Sequence, residues 1–387
     1  MPLAAAFRFK RVAALLVLLP TVWLTGCWDQ RDIETQGFVM GVGIDVPDQP
    51  SPGRQLSLTL QLAVPSNWFG AGETKVGAAE ESFWNITAEG DTVKQMLQSL
   101  ALRNNRKPVF AHVQVILIGE EAARSQHLHQ LLNGLLRTME VKRRVDVLVV
   151  QGKAKEALAV QPMLEPIPAM NLSSLTQEES LTMPPGVTLG RIDDHLLNEA
   201  AFALQRLVPG KEDVKVAGLA VFDGKKQQMV GWLPEERVIG YNFLLDKVQP
   251  GYLTAVVDGE AVTLELTKSR TKLSAEVDGR EISFRVAVEA SVQMEENWTG
   301  GAPSDADFAQ RVQTAAESEI RRQMAETVRY FQQEFGLDGV NFWRHLRAFH
   351  PDTWDWAKEN WNGRFREVDV DYAAKVKVLD YGTLYRH

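Results

Sequence analysis

Cysteine is the scarcest residue type in the sequence, which contains only Cys27. A single thiol cannot form a disulfide within the chain, and a thiolate metal site needs several cysteines. Disulfide scaffolds and cysteine-based metal centres are therefore excluded. The fold must be stabilised by packed cores, and the 45% of hydrophobic residues is a proportion typical of globular proteins. The length of 387 residues predicts several domains.

An excess of basic residues is also missing. The chain has 42 Lys and Arg against 50 Asp and Glu, which gives a formal net charge of -8. A nucleic-acid binder would show a basic stripe, so this function class is disfavoured. The same balance argues against electrostatic attraction of the chain to anionic lipid. Loss of residues 1–26, which carry Arg8, Lys10, Arg11 and no acidic side chain, would change the net charge from -8 to -11.

Long hydrophobic runs are nearly absent. The one extended run covers residues 12–24 and is interrupted by Pro20 and Thr21. It is short for a spanning helix, which needs roughly 20 apolar residues. The cations of residues 8–11 precede it, and a positive segment followed by a short apolar run is the pattern of a secretory signal. The sequence therefore predicts an exported protein with no membrane-spanning helix.

The end of this apolar run contains the cysteine. Leu24-Thr25-Gly26-Cys27 resembles a bacterial lipobox, in which the cysteine thiol takes a diacylglyceryl group before cleavage between Gly26 and Cys27. Cysteine suits this chemistry because its sulfur is strongly nucleophilic. Two or more acyl chains anchor a protein firmly, whereas one chain is marginal. The resemblance implies a mature protein that begins at acylated Cys27 on the outer face of a membrane. The alternatives are a secreted protein with a free thiol and an uncleaved signal anchor.

The first half of the chain mixes strands and helices. Alternating apolar residues predict a hairpin formed by residues 38–44 and 56–64. An apolar strand at 113–118, a helix at 120–140 and a second apolar strand at 145–150 predict a βαβ crossover with parallel strands.

The boundary of this half is predicted to follow a further helix. Apolar residues at helical spacing predict an amphipathic helix over residues 189–207, stopped by Pro209 and Gly210. We therefore expect a domain boundary between Pro209 and Val214.

The second half is organised by Asp-Gly dipeptides, the strongest short hairpin signal. They occur at 223–224, 258–259 and 278–279, each between alternating apolar residues. A long amphipathic helix over residues 305–335 and a terminal strand over 368–378 follow. The sequence thus predicts an α+β or mixed α/β protein of several domains, each a mostly antiparallel or mixed sheet with helices packed on it.

Short motifs spread over the chain, taken together and in order behind the lipobox, resemble the Ger(x)C lipoproteins of spore-forming bacteria, the C subunits of nutrient germinant receptors. The motifs are Cys27-Trp28-Asp29, Gly41-Val42-Gly43-Ile44-Asp45, Ala111-His112-Val113, Ile118-Gly119-Glu120-Glu121, Gln151-Gly152-Lys153-Ala154-Lys155, Glu165-Pro166-Ile167-Pro168-Ala169, Gly218-Leu219-Ala220-Val221-Phe222, Val230-Gly231-Trp232-Leu233, Lys268-Ser269-Arg270-Thr271-Lys272 and Pro351-Asp352-Thr353-Trp354.

This resemblance implies a lipid-anchored subunit on the outer face of the spore inner membrane. It implies two integral membrane partners, the A and B subunits of the receptor, and no known catalytic activity. The expected division of the chain is a signal at 1–26, an N-terminal germination-protein domain at 27–208, a small hairpin-plus-helix subdomain at 214–262 and a sheet-and-long-helix domain at 263–387. The last two together form the family's C-terminal region.

Candidate chemical groups are few. His127 and His129 would point away from each other on the predicted helix, so a metal site is disfavoured. The run at residues 193–195 lies on an amphipathic helix without a nucleophile motif, and Gly41-x-Gly43 lacks the third glycine of a dinucleotide site. These two glycines are better explained by close approach of a neighbouring element. We expect no cofactor, no metal and no small-molecule ligand.

Tryptophans near the C-terminus are the strongest candidates for a protein contact. Trp354 and Trp361 share one helical face and are predicted to pack in the core, whereas Trp356 falls off that face and is a candidate partner contact. The favoured hypothesis is a non-enzymatic germinant-receptor subunit. One alternative is a lipid-anchored solute-binding protein of a transporter, which would have two similar domains around a deep cleft. An envelope hydrolase, the third possibility, would need a convergent nucleophile or metal cluster.

Overall fold

The computed structural model describes residues 36–64, 82–137, 141–162, 164–299 and 306–380. Within these residues the strands form a nine-stranded and a four-stranded sheet, with helices packed on both. The fold is mixed α and β, as predicted from the sequence. The predicted signal segment, including Gly26 and Cys27, lies outside the described residues.

The first sheet mixes parallel and antiparallel neighbours. Its spatial order is β3-β2-β1-β5-β6-β7-β8-β9, and β4 pairs with β1. The strands are β1 (Gln36–Asp45), β2 (Leu56–Ala63), β3 (Phe83–Gly90), β4 (Lys107–Val109), β5 (Val115–Gly119), β6 (Asp146–Val150), β7 (Phe202–Pro209), β8 (Val214–Asp223) and β9 (Gln228–Leu233). The helices of this part of the chain are α1 (Val93–Arg103), α2 (Glu120–Ser125), α3 (Leu128–Leu136), α4 (Ala154–Ala157), α5 (Pro168–Leu175) and α6 (Leu189–Leu197).

The predicted first hairpin and βαβ crossover are confirmed. Strands β1 and β2 pair antiparallel, while β5 and β6 pair in parallel and are connected through helices. The single helix predicted for residues 120–140 is instead two helices, α2 and α3. The break has a tertiary cause, because the Leu128 N–H donates to the carbonyl of Gln227, in the turn between β8 and β9, at 2.8 Å.

The helix predicted over residues 189–207 is wrong in its second half. Helix α6 ends at Leu197, Glu199 takes a left-handed φ of 49°, and Phe202–Pro209 is strand β7. β7 lies between β6 and β8, so its residues are buried on both faces of the sheet. A strand buried on both faces is apolar at successive positions and cannot be distinguished by periodicity from the continuation of a buried helix.

The second sheet has the order β10-β11-β12-β13. Its strands are β10 (Gly251–Val257), β11 (Glu260–Asp278), β12 (Glu281–Asn297) and β13 (Asp369–Asp380), and β13 pairs in parallel with β12. The three predicted Asp-Gly hairpins are confirmed. The helices of this part are α7 (Val238–Leu244), α8 (Ala306–Tyr330), which continues as a π-turn over Phe331–Phe335, α9 (Phe342–Phe349), α10 (Pro351–Ala357) and α11 (Trp361–Phe365). Short 3-10 turns cover Glu235–Arg237 and Lys358–Asn360.

One hydrophobic cluster joins the two sheets. Leu219 and Leu233, on one face of the first sheet, belong to the same buried cluster as Phe284 and Val286 of the second sheet and as Ile320 of α8. Two further clusters include residues on the strands of the first sheet, and one of them contains Phe222 and Met229 of β8 and β9. The sheet also continues across the predicted boundary, since Pro209 pairs with Val214. The division of the chain into domains stays a prediction.

Candidate functional surface at the junction of the two sheets

Trp356, the predicted partner contact, lies in α10 and is half-buried. The guanidinium carbon of Arg364 lies 4.1 Å from the centre of its ring. This cation–π contact covers one face of the indole. Whether the rest of the ring contacts a partner protein stays a prediction.

The neighbouring tryptophans form a packed row. The rings of Trp343 and Trp354 are 5.8 Å apart, and those of Trp354 and Trp361 are 5.9 Å apart. Trp361 is buried, and Trp354 packs against the same core, as predicted. This row joins α9, α10 and α11 into one packed group, which we call the helical corner. Trp356 lies in its α10.

Asp338 is the centre of this corner and was not singled out from the sequence. Its buried carboxylate accepts hydrogen bonds from the backbone N–H of Phe342 at 3.1 Å and of Trp343 at 2.7 Å, and from the Trp361 indole N–H at 2.8 Å. Burial raises the pKa of the Asp338 carboxyl, while these donors act in the opposite direction. The carboxylate thus fixes both the start of α9 and the position of Trp361. Its position just before an amphipathic helix was the sequence feature that could have identified Asp338 as a helix-capping residue.

A cleft of about 520 Å³ separates this corner from the first sheet. Across the junction, Arg344 of α9 forms an ion pair with Asp194 of α6 at 3.2 Å, and Arg347 donates to the side-chain carbonyl of Asn198 at 2.7 Å. Two large apolar side chains are exposed on these elements: Leu197 is 84% exposed and Phe349 is 68% exposed. We call Leu197, Phe349 and Trp356 the apolar rim.

His195, from the 193–195 run, lines a different cavity, together with Asp194 and Arg344, and stacks on Phe202 with ring centres 5.0 Å apart. Burial lowers the pKa of His195 to about 4, and the positive charges of Arg344 and Arg191 act in the same direction. The imidazole is therefore neutral at physiological pH. It contributes packing rather than charge to the junction.

A second buried carboxylate lies where the parallel strands end. Asp45 accepts hydrogen bonds from the backbone N–H of Ala154 at 2.7 Å and of Lys155 at 2.9 Å, which caps α4. Burial raises the pKa of Asp45. A Cβ at Gly119 would lie 2.1 Å from an Asp45 oxygen, so this position requires glycine. The carboxyl edge of parallel strands often binds ligands, but here the protein's own residues fill it.

The glycines of β1 make close contacts, as predicted. A Cβ at Gly41 would lie 2.9 Å from Ala169, and one at Gly43 would lie 3.2 Å from Ala154. Beside them, buried Gln61 donates to the carbonyl of Leu158 at 2.7 Å and accepts from the N–H of Ala169 at 2.8 Å. These contacts hold the segment before α5 against the sheet.

The remaining candidate groups do not converge. Among the described residues no group of three or more His, Cys, Asp or Glu side chains is arranged to hold a metal ion. His127 lies at the start of α3, where its Nδ1 is 3.1 Å from the carbonyl oxygen of Lys226. Of the helices that the structure describes, none is both long and apolar enough to cross a membrane.

Comparison with known proteins gives matches over most of the chain. The family model described as "Spore germination protein N-terminal domain" matches residues 29–208, and the model described as "Spore germination B3/ GerAC like, C-terminal" matches residues 217–382. The chain is 28% identical over 395 residues to spore germination protein YndF of Bacillus subtilis (strain 168), covering 96% of this chain and 97% of that protein. It is 25% identical over 368 residues to spore germination protein B3 of the same strain, covering 93% and 95% of the two chains.

A solved structure shares the fold. The structure titled "Crystal Structure of the GerBC protein" matches with a TM-score of 0.60 and 20% sequence identity. The match covers 90% of this chain and all of the solved one.

Proposed function

Because this chain belongs to the GerAC family of spore germination proteins, we propose that it is a lipid-anchored, non-enzymatic subunit of a spore nutrient germinant receptor. The observation that carries the proposal is the match of both family models, in order, to residues 29–208 and 217–382. The proposed role is to couple integral membrane subunits of the A and B type during the triggering of germination.

The proposed anchor is acylated Cys27. It is supported by the lipobox-like Leu24-Thr25-Gly26-Cys27 and by the cationic and apolar segments that precede it. The first family match begins at residue 29, two positions after this cysteine. The body would thus be tethered on the outer face of the spore inner membrane.

The proposed contact with the membrane subunits is the apolar rim. Exposed large apolar side chains on a packed scaffold are typical of protein interfaces. Leu197 and Phe349 project from α6 and α9, whose junction is fixed by the Arg344–Asp194 ion pair. Half-buried Trp356 of α10 is proposed as a further contact. The two buried carboxylates, Asp45 and Asp338, hold backbone groups, which suits a structural role.

The solute-binding alternative has less support. It requires two similar domains around a cleft, whereas the two described sheets differ in strand number and order. The family match also favours a germination role.

Deletion of the gene tests the proposal. Spores that lack the protein are expected to lose germination on one defined nutrient, measured as the fall in optical density, and to keep their response to other germinants. Wild-type protein should restore the response, and Cys27→Ala should restore it poorly. Normal germination of the deletion spores together with lost uptake of one solute would support the transporter alternative instead.

A further inference from the structure

The outer face of the second sheet carries a concentration of positive charge that the net charge of -8 conceals. Alternate residues of β11 point to this face, where Lys268, Arg270 and Lys272 are exposed. The same side of β12 and β13 adds Arg285, Lys375 and Lys377, also exposed. We call these six residues the basic face.

The register of the strands makes the basic face continuous. Arg270 lies opposite Glu289, which lies opposite Lys375. Lys268, Ser291 and Lys377 form the adjacent row. At roughly 3.4 Å per residue and 4.8 Å per strand, the six cations fit within about 20 by 10 Å. This is on the order of one or two Debye lengths at physiological salt, so the charges act together on an approaching surface.

Few carboxylates neutralise this region. Within the described residues, Arg285 pairs with Asp371 at 3.4 Å, and the other five cations have no ion-pair partner. Glu289 is the remaining carboxylate between them. Glu276 and Asp369 lie in the next row towards the hairpin tip, and Glu265, opposite Gln293, lies in the next row at the other end. The basic face therefore keeps a local excess of positive charge.

The composition of the face distinguishes between possible partners. Small residues, Ser274, Ala287 and Ser291, lie between the cations, and the nearest exposed large apolar side chains, Tyr252 of β10 and Leu379 of β13, lie at the margin of the face. The cores of protein interfaces are depleted in lysine and enriched in aromatic residues, whereas four of these six cations are lysines. Attraction between lysine and anionic phospholipid depends on proximity rather than on a fitted pocket. The observations thus favour a membrane surface over an acidic protein.

We propose that the basic face docks on the anionic phospholipid headgroups of the membrane to which the protein is tethered. This inference rests on the proposed anchoring at Cys27, which would keep the face close to the bilayer and make a weak attraction effective. The acidic remainder of the body would be repelled by the same lipids. The body would then be oriented with the second sheet towards the bilayer and α8, on the opposite side of that sheet, away from it.

A fluorescent label on the face tests the proposal. Acylation of Cys27 blocks the natural thiol, so Ala287→Cys in the full, processed chain provides one reactive site between the cations. Thr314→Cys, exposed on α8, is the matched control position. The labelled proteins are mixed with vesicles of phosphatidylcholine alone or with about 30% phosphatidylglycerol that carry a headgroup energy acceptor. Energy transfer from position 287, but not from 314, is expected to rise about twofold with phosphatidylglycerol and to be lost near 0.5 M salt.

Charge reversal provides the second arm. Lys268→Glu with Lys377→Glu should abolish the lipid-dependent rise, whereas Lys94→Glu with Lys225→Glu, the same charge change on exposed residues elsewhere, should not. Equal energy transfer from position 287 with both kinds of vesicle would overturn the proposal. An acidic protein would then be the favoured partner of the basic face. If the protein fails to float with neutral vesicles, the proposed lipid anchor at Cys27 is contradicted. The basic face is still tested in that case, because binding to anionic vesicles is measured separately.

Discussion

Buried polar side chains determine the local geometry of this protein at the residue scale. Asp338 and Asp45 each accept backbone hydrogen bonds from residues at the start of a helix, and Gln61 of β2 accepts one from Ala169 at the start of α5. The sequence did not reveal these partners, because Asp45 and Ala154 are 109 residues apart. Folding brings Asp45 and Ala154 together, and their positions in the sequence do not indicate this contact.

Asp338→Asn is predicted to lower the free energy of unfolding by about 3 kcal/mol. The amide retains one acceptor oxygen and turns an NH2 group towards the N–H donors of the helical corner. Urea denaturation followed by tryptophan fluorescence measures the change. Asp352→Asn, exposed on α10, is the control and should change stability by no more than about 0.5 kcal/mol. Equal effects of the two substitutions would contradict the role of Asp338.

His195 is predicted to make stability depend on pH. Its pKa of about 4 in the folded protein is below its ordinary value of 6.5, so the unfolded chain binds the proton more tightly. Stability should therefore fall as the pH falls from about 6.5 towards 4, by about 1–2 kcal/mol at pH 5. Denaturation at pH 7.5 and pH 5 measures this change. His195→Gln should lose less stability over the same interval, and an identical loss would assign the effect to other groups.

At the scale of elements, local turn chemistry made the hairpins predictable. Asp258 and Gly259 both take positive φ, as such a turn requires, whereas in the β8–β9 turn Gln227 takes the positive φ and Asp223 accepts from the N–H groups of Lys225 and Lys226. Helix α8 was predicted because its apolar residues recur at helical spacing over 25 residues. Strand β7 was missed because burial on both faces removes the alternation that identifies a strand.

Gly41→Ala is predicted to destabilise the packing of α5 and the preceding segment on β1. The added methyl would lie 2.9 Å from both Ala169 and Leu158, so these neighbours must shift. We expect a loss of about 1–3 kcal/mol in the free energy of unfolding, measured by denaturation. Gly37→Ala, in the same strand, has its nearest contacts at 3.5 Å and should cost less. A larger loss of stability for Gly37→Ala than for Gly41→Ala would contradict the proposed importance of close packing at Gly41.

At the scale of the whole molecule, the shared hydrophobic cluster connects the two sheets. The sequence predicted a boundary near 209–214, whereas the hydrogen-bonded sheet runs across it and the cluster includes residues from both sides. Tertiary packing of this kind leaves no local signal. The overall architecture and the family were nevertheless accessible from the sequence, because motifs are distributed from residue 27 to residue 354.

Leu148→Ala tests whether the two sheets unfold together. Leu148 is fully buried in β6 of the first sheet, and its truncation should cost about 3 kcal/mol. Trp343, Trp354 and Trp361 lie in the helical corner beside the second sheet, and Trp84 and Trp232 of the first sheet are replaced by Phe in both proteins compared. If the sheets unfold together, tryptophan fluorescence and circular dichroism should show the same lowered urea midpoint. A fluorescence midpoint that remains at the wild-type value would show independent unfolding.

The mass of the protein extracted from spore membranes tests the central claim of lipid anchoring most directly. The account predicts a chain that begins at Cys27, without residues 1–26, and carries the added mass of acyl groups on that residue. A chain that retains residues 1–26, or one that begins elsewhere with an unmodified Cys27, would contradict it.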